Sequence, residues 1–175
     1  AAAFVTWREG GSRGSWFAVT QDGGASWMPP RELATDLRLR DGAVRPDQPM
    51  PATPRGLEQP AAGRLFIVQF RTVGLPAWRA ALTAAGAEVF GYLPYNAHIV
   101  RVDPGRIRSI AGLDFVERVE PYHPWYRLHA PVRTLLSEAG PAGEQRRVNV
   151  LALEWGPAGK SRIAGAAPAL GAAAA

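Results

Sequence analysis

The stretch from residue 64 to residue 122 constrains the fold more than any other. It opens with RLFIVQF (64–70), an apolar run with β-branched and aromatic residues that reads as a strand buried on both faces. PAWRAALTAAG follows, with Pro76 suited to a first helical position and Gly86 to a C-terminal cap. Trp78, Ala81, Leu82 and Ala85 recur at three or four residues and give that short helix one apolar face. AEVFGYLP (87–94) and AHIVRV (97–102) read as two further strands, reversed at Pro94-Tyr95-Asn96, where Pro fixes φ and Asn tolerates turn geometry. Asp103 fits an N-cap with Pro104 at the next position, and Ile107, Ile110 and Ala111 are expected to face inward. VERVEPY (116–122) alternates apolar and charged residues and closes the unit as a fourth strand.

Strand, helix, strand, strand, helix, strand is the split βαβ order. The expected fold class is therefore α+β: a ferredoxin-like sandwich with a four-stranded antiparallel sheet and both helices on one face. The order alone carries no function, because unrelated activities share it.

Around this unit the chain changes character. Residues 1–40 contain two strand candidates, FVTWRE and SWFAVTQ, flanking Gly10-Gly11-Ser12-Arg13-Gly14, which predicts a β-hairpin arm. Residues 29–39 are expected as a short amphipathic helix or an extended arm. Residues 41–63 carry Pro46, Pro49, Pro51, Pro54 and Pro60 with no apolar period, as a polyproline-biased linker lying along a neighbouring surface would. Residues 123–145 form a tail and a Gly/Pro loop without a clear period. In residues 146–171, RVNVLALEWG followed by PAGKSRIAGAAPALG echoes the first strand and helix, and is read as a truncated second copy. The alanine runs at both ends have no pattern and take no part in this reading.

Composition removes several function classes. Of 175 residues, 47% are hydrophobic, which suffices for a core, while 16 Pro and 19 Gly mark extensive punctuation. The net charge of +5 comes almost wholly from arginine, with Lys160 the only lysine. Those arginines are scattered and form no clustered, aromatic-interleaved patch, so no nucleic-acid partner is expected. The absence of cysteine excludes disulfides and thiolate metal sites. No stretch approaches the ~20 apolar residues of a membrane span. No signal peptide is visible, so the chain is expected to begin after any such segment or never to have had one.

Thr20-Gln21-Asp22-Gly23-Gly24-Ala25-Ser26-Trp27 fits Ser/Thr-x-Asp-x-Gly-x-x-Trp and resembles the Asp-box of sialidases and related β-propellers. Asp22 is expected to accept from turn amides, Gly23 and Gly24 to supply positive φ, and Trp27 to staple the loop, a structural role for Asp22, Gly24 and Trp27. One copy does not make a propeller.

The central unit resembles the propeptide, or inhibitor-type, domain of subtilisin-like serine protease precursors. The resemblance rests on Leu65 to Phe70, Ala84-Ala85-Gly86-Ala87, Tyr92-Leu93-Pro94-Tyr95-Asn96-Ala97, Val100-Arg101-Val102, the passage from Ile110 to Val116 and the closing Val119-Glu120-Pro121-Tyr122. It implies a folding template and active-site inhibitor whose partner is a subtilisin-like catalytic domain, in a secreted or periplasmic setting. It further implies that outward residues of 64–70 and 116–122 form an exposed sheet face for the enzyme. The tail beginning at His123, Pro124, Trp125, Tyr126 and Arg127 would occupy the substrate cleft, with main-chain bonds for affinity. Asp-[Ser/Thr]-Gly, His-Gly-Thr-His and Gly-Thr-Ser-Met-[Ala/Ser] contexts do not occur, so a catalytic triad is not expected in this chain. The alternative is a structural or adaptor module that uses the same unit for assembly.

Other signals reduce to simpler readings. His123 and His129 lie six apart in a proline-containing stretch with no third ligand evident, so no metal is expected. Glu117 and Glu120 are expected to face solvent along the strand. The aromatics Trp78, Phe90, Tyr92 and Phe115 are expected in helix–sheet contacts. Gly156-Pro157-Ala158-Gly159-Lys160-Ser161 lacks the first glycine and the length of a phosphate loop, so no nucleotide cofactor is implied.

Overall fold

A computed structural model describes residues 1–8, 14–40, 42–137, 147–153 and 156–170. The chain divides into two compact units, Ala1–Ala130 and Pro131–Ala175.

In the first unit, β1 (Ala3–Arg8) and β2 (Ser15–Thr20) pair antiparallel with Ala3 opposite Thr20, as the flanking glycines predict. The hairpin's connecting residues 9–13 lie outside the described residues. A short β3 (Arg31–Glu32) pairs with β2. Of the two expectations for residues 29–39, the extended one holds. Pro29 and Pro30 lead into β3, and β4 (Leu37–Leu39) pairs with β5 (Gly42–Val44), with Leu37 opposite Val44.

The four-stranded sheet comprises β6 (Leu65–Phe70), β7 (Glu88–Leu93), β8 (Ala97–Arg101) and β9 (Val116–Pro121), in the spatial order β7-β8-β6-β9 with every pairing antiparallel. Helix α1 (Pro76–Ala84) links β6 to β7. A 3-10 turn (Pro104–Arg106) running into α2 (Ile107–Ala111) links β8 to β9. Local chemistry sets these boundaries. Pro76 starts α1, and Gly86 at φ 89° ends it, with Gly86 N–H donating to Thr83 O and Ala87 N–H to Leu82 O. Asp103 caps the second crossover, accepting from Gly105 N–H at 2.9 Å.

Alternation along β6 puts Phe66, Val68 and Phe70 on one face. There they join Leu75, Trp78, Leu82, Val100, Ile110 and Val116 in a single core, which Phe17 and Val19 of β2 also enter. Both crossover helices therefore cover the same sheet face. Trp78 stacks on Phe115 at 5.2 Å and meets Phe4 and Phe70 edge-on, pairs worth about 0.5–1.5 kcal/mol each beyond burial. Two inward expectations fail: Ala111, at the helix end, is exposed, and Tyr92, on edge strand β7 beyond a register shift, is 56% exposed. Phe90 is half-buried beneath the Arg101 guanidinium.

The opposite face of the sheet departs most from expectation. Ile67 and Gln69 point away from the helices, yet they are 0% and 1% exposed. The face is not open, because residues 34–40 and 42–48 of the same chain lie across it, in a strap that continues to residue 59. Beyond β9 the chain makes a one-turn helix, α3 (Pro124–Arg127).

The second unit contains most of α4 (Ala130–Ser137) and α5 (Pro157–Ala166), followed by a 3-10 turn (Pro168–Leu170). Helix α4 was not expected. Helix α5 occupies the place of the echoed helix, with Pro157 in its first turn after Gly156 at φ 101°. The echoed strand does not form: residues 147–153 join no ladder and leave Val148, Val150 and Leu151 exposed. Strand propensity without a neighbour to accept its main-chain bonds does not make a strand. Residues 146, 154 and 155 of that expectation lie outside the described residues.

Candidate functional site

The surface that organises the first unit is the sheet face carrying Ile67 and Gln69, with the first part of the strap, residues 34–40 and 42–48, upon it. A glutamine in the middle of the apolar LFIVQF strand is costly to bury unless its amide is fully bonded. Here it is. Gln69 Nε2 donates to Thr35 O at 2.8 Å and to Tyr95 O at 3.2 Å, while its Oε1 accepts from Arg118 Nε at 2.9 Å. Carbonyls on one side and a guanidinium on the other leave one possible amide orientation. Arg118 continues outward, donating through its terminal nitrogens to Gln48 O and Val44 O. Arg118 stands opposite Gln69 across the β6–β9 pairing because alternation puts both on this face.

The turn between β7 and β8 supplies the neighbouring contacts. Asn96, at φ 61° and buried, donates from Nδ2 to Ala34 O at 2.8 Å. Tyr95 N–H donates to Asp36 O at 3.1 Å, and Arg38 N–H donates to Pro94 O. The Arg38 guanidinium lies over the Tyr95 ring. Leu37 and Val44 are the strap's buried side chains here, at 0% and 5% exposure.

Further along, the strap meets the residues expected as a cleft-binding tail. Gln59 N–H donates to His123 Nδ1 at 2.8 Å. Trp125 N–H donates to Leu57 O, and Tyr126 Oη donates to Pro51 O at 2.6 Å. Pro124 opens the helical turn, and Arg127 Nη2 donates to Tyr122 O. Tyr126 is 2% exposed and Trp125 half-buried, so in this structure these residues form a helical turn tied to the strap and not an extended, open segment. His129 lies apart from His123 in its contacts, with its Nδ1 3.0 Å from Arg40 Nη1. No group of three or more His, Cys, Asp or Glu among the described residues could hold a metal ion, and no helix among them is long and apolar enough to cross a membrane.

The Asp22 turn is a separate feature. Asp22 Oδ1 accepts from Ser26 N–H and from Thr20 Oγ1, while Oδ2 accepts from Ser26 Oγ. Those bonds, the Ser26 hydroxyl first, hold the carboxyl well below the usual carboxylate range. Gly23 and Gly24 take φ of 80° and 100°. Trp27 is 45% exposed, with its indole nitrogen near the Gly24 backbone, so it borders the turn with much of its ring in solvent.

Two other ionisable groups depart from ordinary behaviour. His98 is buried against Phe70, and desolvation, then the Arg79 charge, lowers its pKa. Glu120 was expected to face solvent, but it is half-buried. Desolvation raises its pKa, against the opposing pull of Arg118 and His123. Glu117 is exposed and lies 3.7 Å from Arg71.

Residues 38–123 match a family model described as a domain of unknown function, DUF8729. No curated protein and no solved structure is matched. The matched span starts within β4 and ends at His123, so it takes in most of the strap together with the four-stranded sheet.

Proposed function

We propose that the first unit is a ferredoxin-like, propeptide-like domain of a subtilisin-like serine protease precursor, acting as folding template and active-site inhibitor outside the cytoplasm. One observation carries the reading. The segments that resemble the propeptide family fall on six consecutive elements whose sheet order, numbered within the unit, is 2-3-1-4 and wholly antiparallel, with both helices on one face. On this reading the partner is a subtilisin-like catalytic domain, and His123 to Arg127 enters its cleft once it leaves the helical turn. The Asp22 turn serves as a rigid end to the hairpin arm, as the Asp-box resemblance implies.

A second reading, a structural or adaptor module, is favoured by a different observation. The sheet face and the tail that an enzyme would engage are both held by the chain's own strap. The two readings separate in an inhibition assay of the whole chain against a generic subtilisin. The propeptide reading predicts inhibition that is lost when residues 123–127 are replaced by Gly and Ser. A folded chain that leaves the enzyme fully active at high micromolar concentration favours the adaptor.

A further inference from the structure

The contacts between residues 34–38 and the sheet have the character of peptide recognition more than of core packing. Each hydrogen bond is made to the segment's main chain: Asn96 Nδ2 to Ala34 O, Gln69 Nε2 to Thr35 O, Tyr95 N–H to Asp36 O, and Arg38 N–H to Pro94 O. Only Leu37 sinks its side chain completely; Ala34 and Arg38 are exposed, and Thr35 and Asp36 are half-buried. The reading group is oriented from outside the segment: Arg118 Nε holds the Gln69 carbonyl and Tyr95 O takes one amide N–H, which turns the amide toward Thr35 O. Main-chain bonds for affinity with one side-chain pocket for selection is the pattern of strand recognition.

We propose that Gln69, Asn96 and the turn at residues 94–96 form a binding site for an extended polypeptide, which residues 34–38 occupy as an internal ligand. The ligand class is an extended segment of another polypeptide carrying a leucine-sized aliphatic residue at the position of Leu37. Side chains at the Ala34, Thr35 and Asp36 positions matter little, while a cation at the Arg38 position adds a contact with the Tyr95 ring. The tethered segment competes at an effective concentration on the order of millimolar, so an outside peptide enters only when the internal one is weakened. The site needs no protease partner and goes beyond the function proposed above.

The test uses the full chain with Leu37→Asp and a fluorescein-labelled peptide of residues 32–40, followed by fluorescence anisotropy. The variant is expected to bind the peptide at least tenfold more tightly than the wild-type chain, whose site is filled. The same peptide with Asp at the Leu37 position is expected to lose at least tenfold. Adding Gln69→Leu to the variant is expected to weaken binding by a similar factor. A folded Leu37→Asp chain that binds no better than wild type overturns the assignment, as does equal binding of the Asp-containing peptide. A variant without a cooperative thermal transition also overturns it, since the segment would then be core and not ligand.

Discussion

His98 lies on the helix-covered face of β8, opposite Val68, with Phe70 at 5.4 Å and Tyr92 at 5.7 Å between ring centroids. Burial disfavours its charged form, Arg79 adds repulsion, and a hydrogen bond with the Gly91 backbone works weakly the other way. The folded-state pKa is therefore below the ordinary 6.5. As pH falls through that value, the unfolded chain takes up a proton that the folded chain resists, so stability drops and levels off only below the folded-state pKa. Thermal melts from pH 7.5 to 5 are expected to show a falling midpoint, and His98→Phe is expected to flatten that slope. An unchanged slope in the variant would assign the pH dependence to other groups. Asp22 acts in the same direction at lower pH. Its depressed pKa means that its contribution is intact above the usual carboxylate range and is lost progressively as pH falls through that range toward the folded-state value.

At the scale of elements, α3 and the strap hold each other through Tyr126 Oη to Pro51 O and Gln59 N–H to His123 Nδ1. Tyr126→Phe removes one buried hydrogen bond without a cavity, and urea unfolding is expected to show a loss of about 0.5–1.5 kcal/mol. No change in midpoint would mean that the strap is held elsewhere. The strands and helices of the sheet unit were legible because apolar alternation, Pro76, Gly86 and Asp103 are local signals that the tertiary structure did not override. The strap's seat was not legible. It is held largely through its own carbonyls, which leave no mark on residue type, and its prolines read as a linker. The one available signal was Gln69, a polar residue inside an apolar strand. The paired partner of Leu37 was hidden by distance in pattern: two short strands of three residues fall below what alternation can mark. Residues 147–153 fail in the opposite way, since their alternation is clear but a strand exists only with a partner. Helix α4 was obscured by Pro131, although proline is well placed in a first turn.

At the scale of the molecule, two compact units share the chain, and the first carries every feature of the proposed function. Its sheet is closed on one face by α1, α2 and the β1–β2 hairpin, and on the other by the strap. On the proposed function, the domain would act on its partner through the surface that the strap and tail present, or through the surface they uncover. Templating of folding is the more specific of the two proposed activities, because inhibition alone can arise from any peptide that fits a cleft. The direct measurement is the refolding yield of a denatured subtilisin-type catalytic domain lacking its own propeptide, with and without the full chain, followed by recovered peptidase activity after the chain is digested. The proposed function predicts a yield raised at least tenfold, and lowered again when residues 123–127 are replaced by Gly and Ser. A yield that the folded chain leaves unchanged, across several subtilisin-type catalytic domains, would contradict it.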